Sequence, residues 1–241
     1  MPQEAVPRLA FFWVGQDVSL PTLLVRSARH VLGDGVHIAQ LTDRTTPEVE
    51  GVTTVMRTKL SDRIMVARLE AYARSGVKSP TLFLDADMLI LRPFTLPTLA
   101  EGEVGLTVRE EDDEINWRYP MEFPEFQGRT LMQEMPYIYS FVYSSSELPF
   151  MRQLTRLNKM PKRFQLWYGD QVTLKREVDE GRLKPVHFDA AVYNRTVRSN
   201  IEFREILGTS AWPAIVHFKG RNSKGEMTLS LEALLAHGTT P

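Results

Sequence analysis

The chain has 241 residues, of which 43% are hydrophobic and 24% are charged, and its formal net charge is −1. These values suit a globular protein with a sizeable core, and the near-neutral charge argues against a general affinity for nucleic acid or anionic lipid. Because the sequence contains no cysteine, disulfides, thiolate zinc sites and a thiol nucleophile are excluded, which favours a reducing, cytoplasmic setting.

The amino terminus and the apolar runs bear on membrane association. Residues 1–8 lack a charged leader followed by an apolar stretch, so we expect no signal peptide. No apolar run approaches the roughly 20 residues of a membrane-spanning helix, so we expect no transmembrane segment. Peripheral contact with a membrane stays open.

Strands and helices alternate through the first hundred residues. Apolar runs predict strands at 9–14, 36–41, 52–56 and 80–84. Helical spacing of apolar residues predicts helices at about 19–32 and 61–75, the first of them capped by Asp17 or Ser19. This alternation is typical of an α/β fold in which helices cover both faces of a mostly parallel sheet. No linker divides the chain, so we predict a single domain over residues 1–241.

The alternation is looser after Thr98. Strands are predicted at 104–108, 137–143, 186–188 and 214–218, and helices at 147–158, 170–180 and 227–236. Between them, residues 109–136 show no clear period, and a loop of this length is usually a lid, a binding loop or disordered. It contains an acidic run at 110–114, which we interpret as solvated. It also contains four aromatic residues that either form a platform for an acceptor or belong to the core, namely Trp117, Tyr119, Phe123 and Phe126.

Two aspartates directly follow the predicted strand at 80–84. Buried strands of an α/β sheet present functional groups at their carboxyl ends, and Asp85 and Asp87 come at that point. Carboxylate pairs suit Mg²⁺ or Mn²⁺, which commonly neutralise phosphates. The alternative is a turn capped by two solvated aspartates. The position after a buried strand favours the metal site.

A histidine and a basic loop lie far along the chain. His217 ends an apolar strand, and the loop 219–224 after it contains Gly220 and Lys224. A neutral imidazole can complete a carboxylate metal site, and a cationic loop that contains glycine can hold phosphate. By itself, this pattern is more typical of a buried core histidine followed by a basic surface turn.

A third group of candidates surrounds Asp170. Asp170 and Gln171 follow Gly169, where Asp170 would serve as the N-cap of the helix that begins there. A cap explains Asp170 fully, but it leaves Trp167 and Tyr168 unexplained, and these rings could pack on a sugar face.

An arginine of the second predicted helix is a further candidate. Arg68 could contact a phosphate or pair with Asp85, or it could lie in solvent with Arg63 and Arg74.

These segments together resemble a known family. Their order along the chain is similar to that of the nucleotide-sugar glycosyltransferases of the GT-A fold, in particular the retaining group that includes glycogenin and bacterial lipopolysaccharide galactosyltransferases. The resemblance covers residues 9–224 and is carried by Arg68-Leu69, Phe83-Leu-Asp85-Ala-Asp87-Met-Leu-Ile, Gly169-Asp170-Gln171, Val192-Tyr193-Asn194 and His217-Phe-Lys-Gly220 with Lys224. The nucleotide-reading residues near Gln16 are not the usual ones of the family, and the chain departs from it in two further places. Four positions separate Gly220 from Lys224 where three are usual, and an Asn-x-Gly signature is absent near Tyr139-Ser140-Phe141.

The resemblance implies a Rossmann-like GT-A domain and a role for each matching residue. Residues 1–100 would bind the nucleotide, and residues 101–241 would bind the donor sugar and the acceptor. Asp85, Asp87 and His217 would bind Mn²⁺ or Mg²⁺. Gln16 and Asp17 would bind the nucleoside, and Arg68 would contact the donor sugar or phosphate. Gly220 and Lys224 would contact the diphosphate. Asp170 and Gln171 would lie beside the donor sugar, near the reacting carbon.

The implied reaction is transfer of a sugar from a nucleotide-diphosphate donor, with UDP favoured, to a glycan, lipid-linked or protein acceptor. The resemblance to the retaining group implies retention. An inverting enzyme would need a carboxylate base beside the acceptor, and Asp170 could be that base.

Two other hypotheses remain. One is a phosphatase similar to the haloacid dehalogenases, with Asp85 as the nucleophile. That family has Thr or Val two residues after its second aspartate, where this chain has Leu89. Its aspartates also normally lie at the start of the domain, whereas several predicted elements precede Asp85 here. The other is a degenerate glycosyltransferase that binds a nucleotide sugar without turnover.

Overall fold

The computed structural model describes residues 8–109, 115 and 123–237. Within these residues the strands, in chain order, are β1 (Arg8–Phe12), β2 (Ile38–Thr42), β3 (Thr54–Arg57), β4 (Thr81–Leu84), β5 (Met88–Ile90), β6 (Glu103–Val108), β7 (Tyr137–Ser144), β8 (Lys184–Phe188), β9 (Arg195–Val197) and β10 (Ile215–Phe218). The helices are α1 (Ser19–Leu32), α2 (Ile64–Ala73), α3 (Leu131–Glu134), α4 (Leu148–Leu157), α5 (Lys162–Leu166), α6 (Gly169–Asp179), α7 (Ala190–Tyr193), α8 (Asn200–Leu207), α9 (Arg221–Gly225) and α10 (Met227–His237), with a 3-10 turn at Pro124–Phe126.

Seven strands form a central sheet in the order β3-β2-β1-β4-β7-β6-β8. Strands β3, β2, β1 and β4 are parallel to one another, β6 is parallel to β8, and β7 is antiparallel to both of its neighbours. The predicted α/β class with a mostly parallel sheet is therefore confirmed.

Helices cover both faces of this sheet. Successive side chains of a strand point to opposite faces, so a strand that is apolar throughout must be buried on both sides. In β4, Leu82 and Leu84 pack in the same core as α1, α8 and α10, whereas Phe83 packs in the core of α2, α4 and α6. Each of the four residues of β4 is buried. This double burial explains why the strand before Asp85 is a continuous apolar run.

A second sheet of three strands brings distant parts of the chain together. Strand β10 lies between β5, to which it is antiparallel, and β9, to which it is parallel. Strand β5 begins directly after Asp87, so the turn at residues 85–87 passes the chain from the central sheet to the small one.

Several features of the second half differ from, or lie beyond, the sequence analysis. Helix α8, which Ser199 caps by accepting the backbone N–H of Glu202, was not predicted, nor were α5, α7 and β9. In the segment 109–136, Phe123 and Phe126 are buried against Phe164, so these two rings belong to the core. Trp117, Tyr119 and the acidic run 110–114 lie outside the described residues. In the described part of the chain, no helix is both long and apolar enough to cross a bilayer.

Candidate functional site

The two aspartates lie at the carboxyl end of β4. The backbone N–H of Asp85 still donates to the carbonyl of Ser140 on β7, at 3.2 Å, so the chain leaves the central sheet only after this residue. The Asp87 side chain is about one-tenth exposed and that of Asp85 about one-fifth exposed. The pair therefore lies at the carboxyl end of a central strand, as predicted, but Asp87 is much more buried than a solvated turn residue.

Strand pairing brings His217 to Asp87. In the small sheet His217 on β10 lies opposite Met88 on β5, and the N–H of Phe218 donates to the carbonyl of Asp87 at 2.9 Å. As a result, Nε2 of His217 lies 3.3 Å from Oδ1 of Asp87. One potential ligand atom from each of Asp85, Asp87 and His217 falls within 4.8 Å of the others.

This group has the chemistry of a divalent metal site. Oδ1 of Asp87 is buried and accepts no hydrogen bond, which is costly for a carboxylate oxygen unless a cation satisfies it. Two carboxylates and one imidazole are a ligand set that suits Mn²⁺ or Mg²⁺. The three residues therefore fit the metal that the sequence analysis predicted.

Behind His217 lies a buried polar cluster with no role in the sequence analysis. Nδ1 of His217 is 3.1 Å from both Oδ1 of Asn194 and Oγ of Ser140. Nδ2 of Asn194 donates to Oγ1 of Thr107 at 2.8 Å and to Oγ of Ser140 at 3.0 Å. Ser140 lies in the segment that lacks the Asn-x-Gly signature, and Asn194 was noted only as part of the family pattern. Their spacing along the chain does not indicate that they meet.

Arg68 links the metal group to Asp170. Its guanidinium contacts Oδ1 of Asp85 at 3.3 Å and Oδ2 of Asp170 at 2.9 Å, and it lies 5.8 Å from the ring centre of Tyr139. Burial would lower the pKa of Arg68, but Asp85 and Asp170 raise it above its ordinary value, so the side chain stays charged. The solvent-facing alternative for Arg68 is wrong.

Asp170 lies in the first turn of α6 and is 1% exposed. The predicted N-cap role is wrong, because the helix begins at Gly169 and its N-cap is Tyr168 in a left-handed conformation at φ 64°. Oδ1 of Asp170 instead accepts the N–H of Gln171 at 2.8 Å. Burial raises the pKa of Asp170, and the charge of Arg68 opposes that rise.

Gln171 contacts a different partner. Its Oε1 accepts from Arg109 at 2.5 Å, and the Nε of Arg109 donates to the carbonyl of Met135. Gln171 is thus tied to the start of the segment 109–136 and not to the metal group.

The basic loop lies against Asp87. Gly220 adopts φ 91°, a conformation that favours glycine, and it starts the short helix α9. One turn later, Nζ of Lys224 lies 2.5 Å from Oδ2 of Asp87. Burial would raise the pKa of Asp87, and the charge of Lys224 opposes that rise.

Gln16 and Asp17 are exposed in the loop after β1. Because β1 and β4 are parallel neighbours, this loop and Asp85 lie at the same sheet edge. Nε2 of Gln16 donates to the carbonyl of Thr45 at 3.1 Å, and Oδ1 of Asp17 accepts the N–H of Ser19 at 2.9 Å. The second contact reaches the first residue of α1, but the N-cap position is Val18 and no side chain caps the helix, so the predicted cap by Asp17 or Ser19 is wrong. The role in nucleoside binding stays a prediction.

Comparison with solved structures places this fold among glycosyltransferases. A glycosyltransferase involved in the glycosylation of the major capsid of PBCV-1 is 11% identical, with a TM-score of 0.54, and the match covers 95% of this chain and 100% of that one. The galactosyltransferase LgtC, solved in complex with donor and acceptor sugar analogs, is 13% identical, with a TM-score of 0.56, and the match covers 97% of each chain.

No protein-family model matches the sequence, and no curated protein matches it. At 11% and 13% identity the structural likeness establishes the GT-A fold and not the reaction.

Proposed function

We propose that this protein is a metal-dependent glycosyltransferase that moves a sugar from a nucleoside diphosphate donor, a UDP-sugar, to a glycan, lipid-linked or protein acceptor. The observation that carries the proposal is the convergence of Asp85, Asp87 and His217 within 4.8 Å at the carboxyl edge of a sheet with the fold of glycosyltransferases. Residues 1–100 bind the nucleotide and residues 101–241 the donor sugar and acceptor, within one domain over 1–241.

Asp85, Asp87 and His217 would hold Mn²⁺ or Mg²⁺. Such an ion would neutralise the diphosphate, which is a poor leaving group while its charge is uncompensated. Lys224 supports the same task, because its ammonium group already lies beside Asp87 and can donate to a phosphate oxygen. Gly220 allows the backbone of this loop to approach the diphosphate closely, since it presents no side chain.

Arg68, Asp170 and Gln171 act beside the donor sugar. Asp170 fixes the guanidinium of Arg68, which Asp85 holds from the other side, so Arg68 presents a positive charge next to the metal group. In the transfer, the bond from the anomeric carbon to the diphosphate oxygen breaks and a bond to the acceptor oxygen forms. The acceptor proton leaves with the diphosphate.

We propose that the transfer proceeds with retention. An inverting enzyme needs a carboxylate that is free to accept the acceptor's proton. Both oxygens of Asp170 are engaged, one by Arg68 at 2.9 Å and the other by the N–H of Gln171 at 2.8 Å. These contacts favour a positioning role for Asp170 over that of a base. The anomeric configuration of the product, read by NMR, tests this point.

Gln16 and Asp17 would contact the nucleoside, since their loop follows β1 at the same edge of the sheet as Asp85. Gln16 is exposed and has amide groups that can pair with a base edge. The cytoplasmic setting expected from the cysteine-free sequence stays a prediction.

A thermal-shift panel of UDP-, GDP- and ADP-sugars, each with and without Mn²⁺, tests the proposal directly. A ligand that binds only the folded state stabilises it by about 2.7 kcal/mol at a hundred times its Kd. We expect stabilisation by a UDP-sugar that requires Mn²⁺ and is lost in Asp87→Ala. The matched control is Asp34→Ala, an exposed aspartate in the turn before β2, at the opposite edge of the sheet.

Turnover separates the proposal from its rivals. Metal-dependent release of UDP, absent in Asp87→Ala and kept in Asp34→Ala, supports a glycosyltransferase. Release of phosphate from an aryl phosphate would point to a phosphatase instead. Donor binding without any turnover across acceptors would indicate a degenerate enzyme.

A further inference from the structure

The buried polar cluster of Asn194, Ser140, Thr107 and His217 sets the hydrogen-bonding state of the imidazole. A neutral histidine carries one N–H, and the nitrogen without it has the lone pair that a metal ion needs. Which nitrogen bears the proton depends on the groups that face each side of the ring. On the Nδ1 side these groups are Oδ1 of Asn194 and Oγ of Ser140, each at 3.1 Å.

The orientation of the Asn194 amide decides between the two tautomers. Its NH₂ group points to two hydroxyl oxygens that can accept, Oγ1 of Thr107 at 2.8 Å and Oγ of Ser140 at 3.0 Å. The Ser140 hydroxyl in turn donates to Oδ1 of Asn194 at 3.2 Å. The carbonyl oxygen of Asn194 is then directed at Nδ1 of His217, and a carbonyl oxygen can only accept. The proton of the neutral ring is therefore held on Nδ1.

The opposite side of the ring faces the carboxylates. Nε2 of His217 lies 3.3 Å from Oδ1 of Asp87, the buried oxygen that accepts no hydrogen bond. With the proton on Nδ1, the lone pair of Nε2 and this oxygen converge on the same point. Two lone pairs that converge repel each other, and a cation between them removes that repulsion.

The backbone around Asn194 keeps the amide in place. Asn194 ends the short helix α7, and its N–H donates to the carbonyl of Ala190 at 2.9 Å. The residue is 2% exposed, so water does not compete for its amide. Strand β9 begins at the next residue and pairs with β10, which carries His217. The amide and the ring are thus held by the same small sheet.

We propose that Asn194 is the positioning residue of the metal site: it holds the proton of His217 on Nδ1 and so directs the lone pair of Nε2 toward Asp87 and the cation. This inference rests on the proposed metal-dependent function. Outer groups that orient a ligating histidine typically contribute about 10- to 100-fold to metal affinity.

The test compares Asn194→Ala and Asn194→Asp with the wild type by two readouts. The first is the affinity for Mn²⁺ alone, measured by calorimetry or electron paramagnetic resonance. The second is the tautomer of His217, read from ring ¹⁵N shifts in the metal-free protein at a pH where the ring is neutral. Asn200→Ala on α8 is the matched control, because Asn200 bonds to Ser230 and not to the cluster.

We expect Asn194→Ala to lower Mn²⁺ affinity by about 10- to 100-fold and to give a mixture of tautomers. Asn194→Asp keeps an acceptor for Nδ1–H, and the hydroxyls of Thr107 and Ser140 can rotate to donate to it. It should therefore retain the single tautomer and most of the affinity. Because loss of stability alone would not change the tautomer, the spectroscopic readout separates positioning from a merely structural role.

Unchanged Mn²⁺ affinity in Asn194→Ala, or a wild-type ring protonated on Nε2, would overturn the inference. Asp87→Ala, measured in parallel, keeps this failure distinct from failure of the proposed function. If Asp87→Ala abolishes Mn²⁺ binding and Asn194→Ala does not, the metal site stands without the positioning role. If neither variant changes binding, the metal site itself is wrong.

Discussion

Lys224 places its ammonium nitrogen 2.5 Å from Oδ2 of Asp87, and the side chain of Asp87 is only about one-tenth exposed. On the other side of the group, Arg68 contacts Asp85 at 3.3 Å. Each aspartate of the pair thus has a cationic side chain beside it. A divalent ion and Lys224 would compete for the same carboxylate, whereas a bound diphosphate would offer Lys224 another anionic partner.

Lys224→Met should therefore act in opposite directions on two ligands. Without the competing ammonium group, the protein should bind Mn²⁺ alone more tightly. With Mn²⁺ present, it should bind the nucleotide donor more weakly, by the roughly 1.5–3 kcal/mol of a hydrogen bond that involves a charged group. Calorimetric titrations with Mn²⁺, and with UDP in excess Mn²⁺, measure the two effects.

The control for this pair of titrations is Lys78→Met, an exposed lysine before β4 at the opposite edge of the sheet. It should leave both affinities unchanged. Weaker binding of both ligands in Lys224→Met would contradict the competition and indicate that Lys224 only maintains the shape of the loop.

Gly169 is required because there is no space for a side chain. A Cβ at this position would overlap the backbone oxygen of Phe164 and Cδ1 of Leu157. Gly169→Ala should therefore displace the start of α6, move Asp170 away from Arg68, and weaken donor binding while lowering the melting temperature. Gly35→Ala is the matched control, since a Cβ there meets nothing within 4 Å. Donor affinity equal to wild type in Gly169→Ala would show that the position of Asp170 does not matter.

The sequence predicted the parts of the fold that depend on local pattern. Apolar periodicity predicted the strand before Asp85 and the helices α1, α4 and α6. The strand is buried on both of its faces, and each helix buries one continuous face. The placement of His217 opposite Met88 depends on a pairing between β5 and β10, which are more than a hundred residues apart. From the residues alone, a place for His217 beside the aspartates was one of two open interpretations, and the family resemblance favoured it.

The supporting cluster and the start of α6 were beyond sequence reasoning. Asn194, Ser140 and Thr107 lie on three separate elements, and a buried polar residue has no periodicity that marks its partner. The N-cap prediction for Asp170 was wrong: the helix begins one residue earlier, at Gly169, which lies close to Phe164 of α5, and Tyr168 is the N-cap in a left-handed conformation. Tertiary contact here overrides the ordinary capping preference.

His37 makes the stability of the protein sensitive to acid. Desolvation, and then the charge of Arg8, lower the pKa of His37 from 6.5. Arg8 lies 3.1 Å from Nε2 of its ring. His37 therefore takes up a proton at a higher pH in the unfolded chain than in the folded one. As a result, the contribution of the neutral ring to the free energy of unfolding is lost as pH falls through 6.5 toward the pKa of the folded state. Denaturant unfolding across this range should show a smaller loss in His37→Gln than in the wild type.

An NMR titration gives the direct check on His37. The wild-type ring should titrate below 6.5. In Arg8→Met the pKa should rise, because the neighbouring charge is gone while the burial remains. A wild-type ring that titrates at or above 6.5 would refute this account of the acid sensitivity.

Trp167 is 51% exposed and precedes Tyr168, Gly169 and Asp170. Its ring packs edge-on to Tyr168, at 5.8 Å between centroids, which leaves much of the indole open to solvent beside the start of α6. An exposed aromatic face can pack on the apolar face of a sugar, and for comparison a pair of aromatic side chains contributes about 0.5–1.5 kcal/mol beyond the burial of its area. Trp167→Ala should therefore raise the KM for donor or acceptor by several-fold with little change in melting temperature, and Trp167→Phe should recover part of the loss. Leu166→Ala is the matched control, because Leu166 is the adjacent residue and is similarly exposed, at 43%. Equal effects of Leu166→Ala and Trp167→Ala would mean that general apolar contact, and not stacking on the indole, accounts for the change.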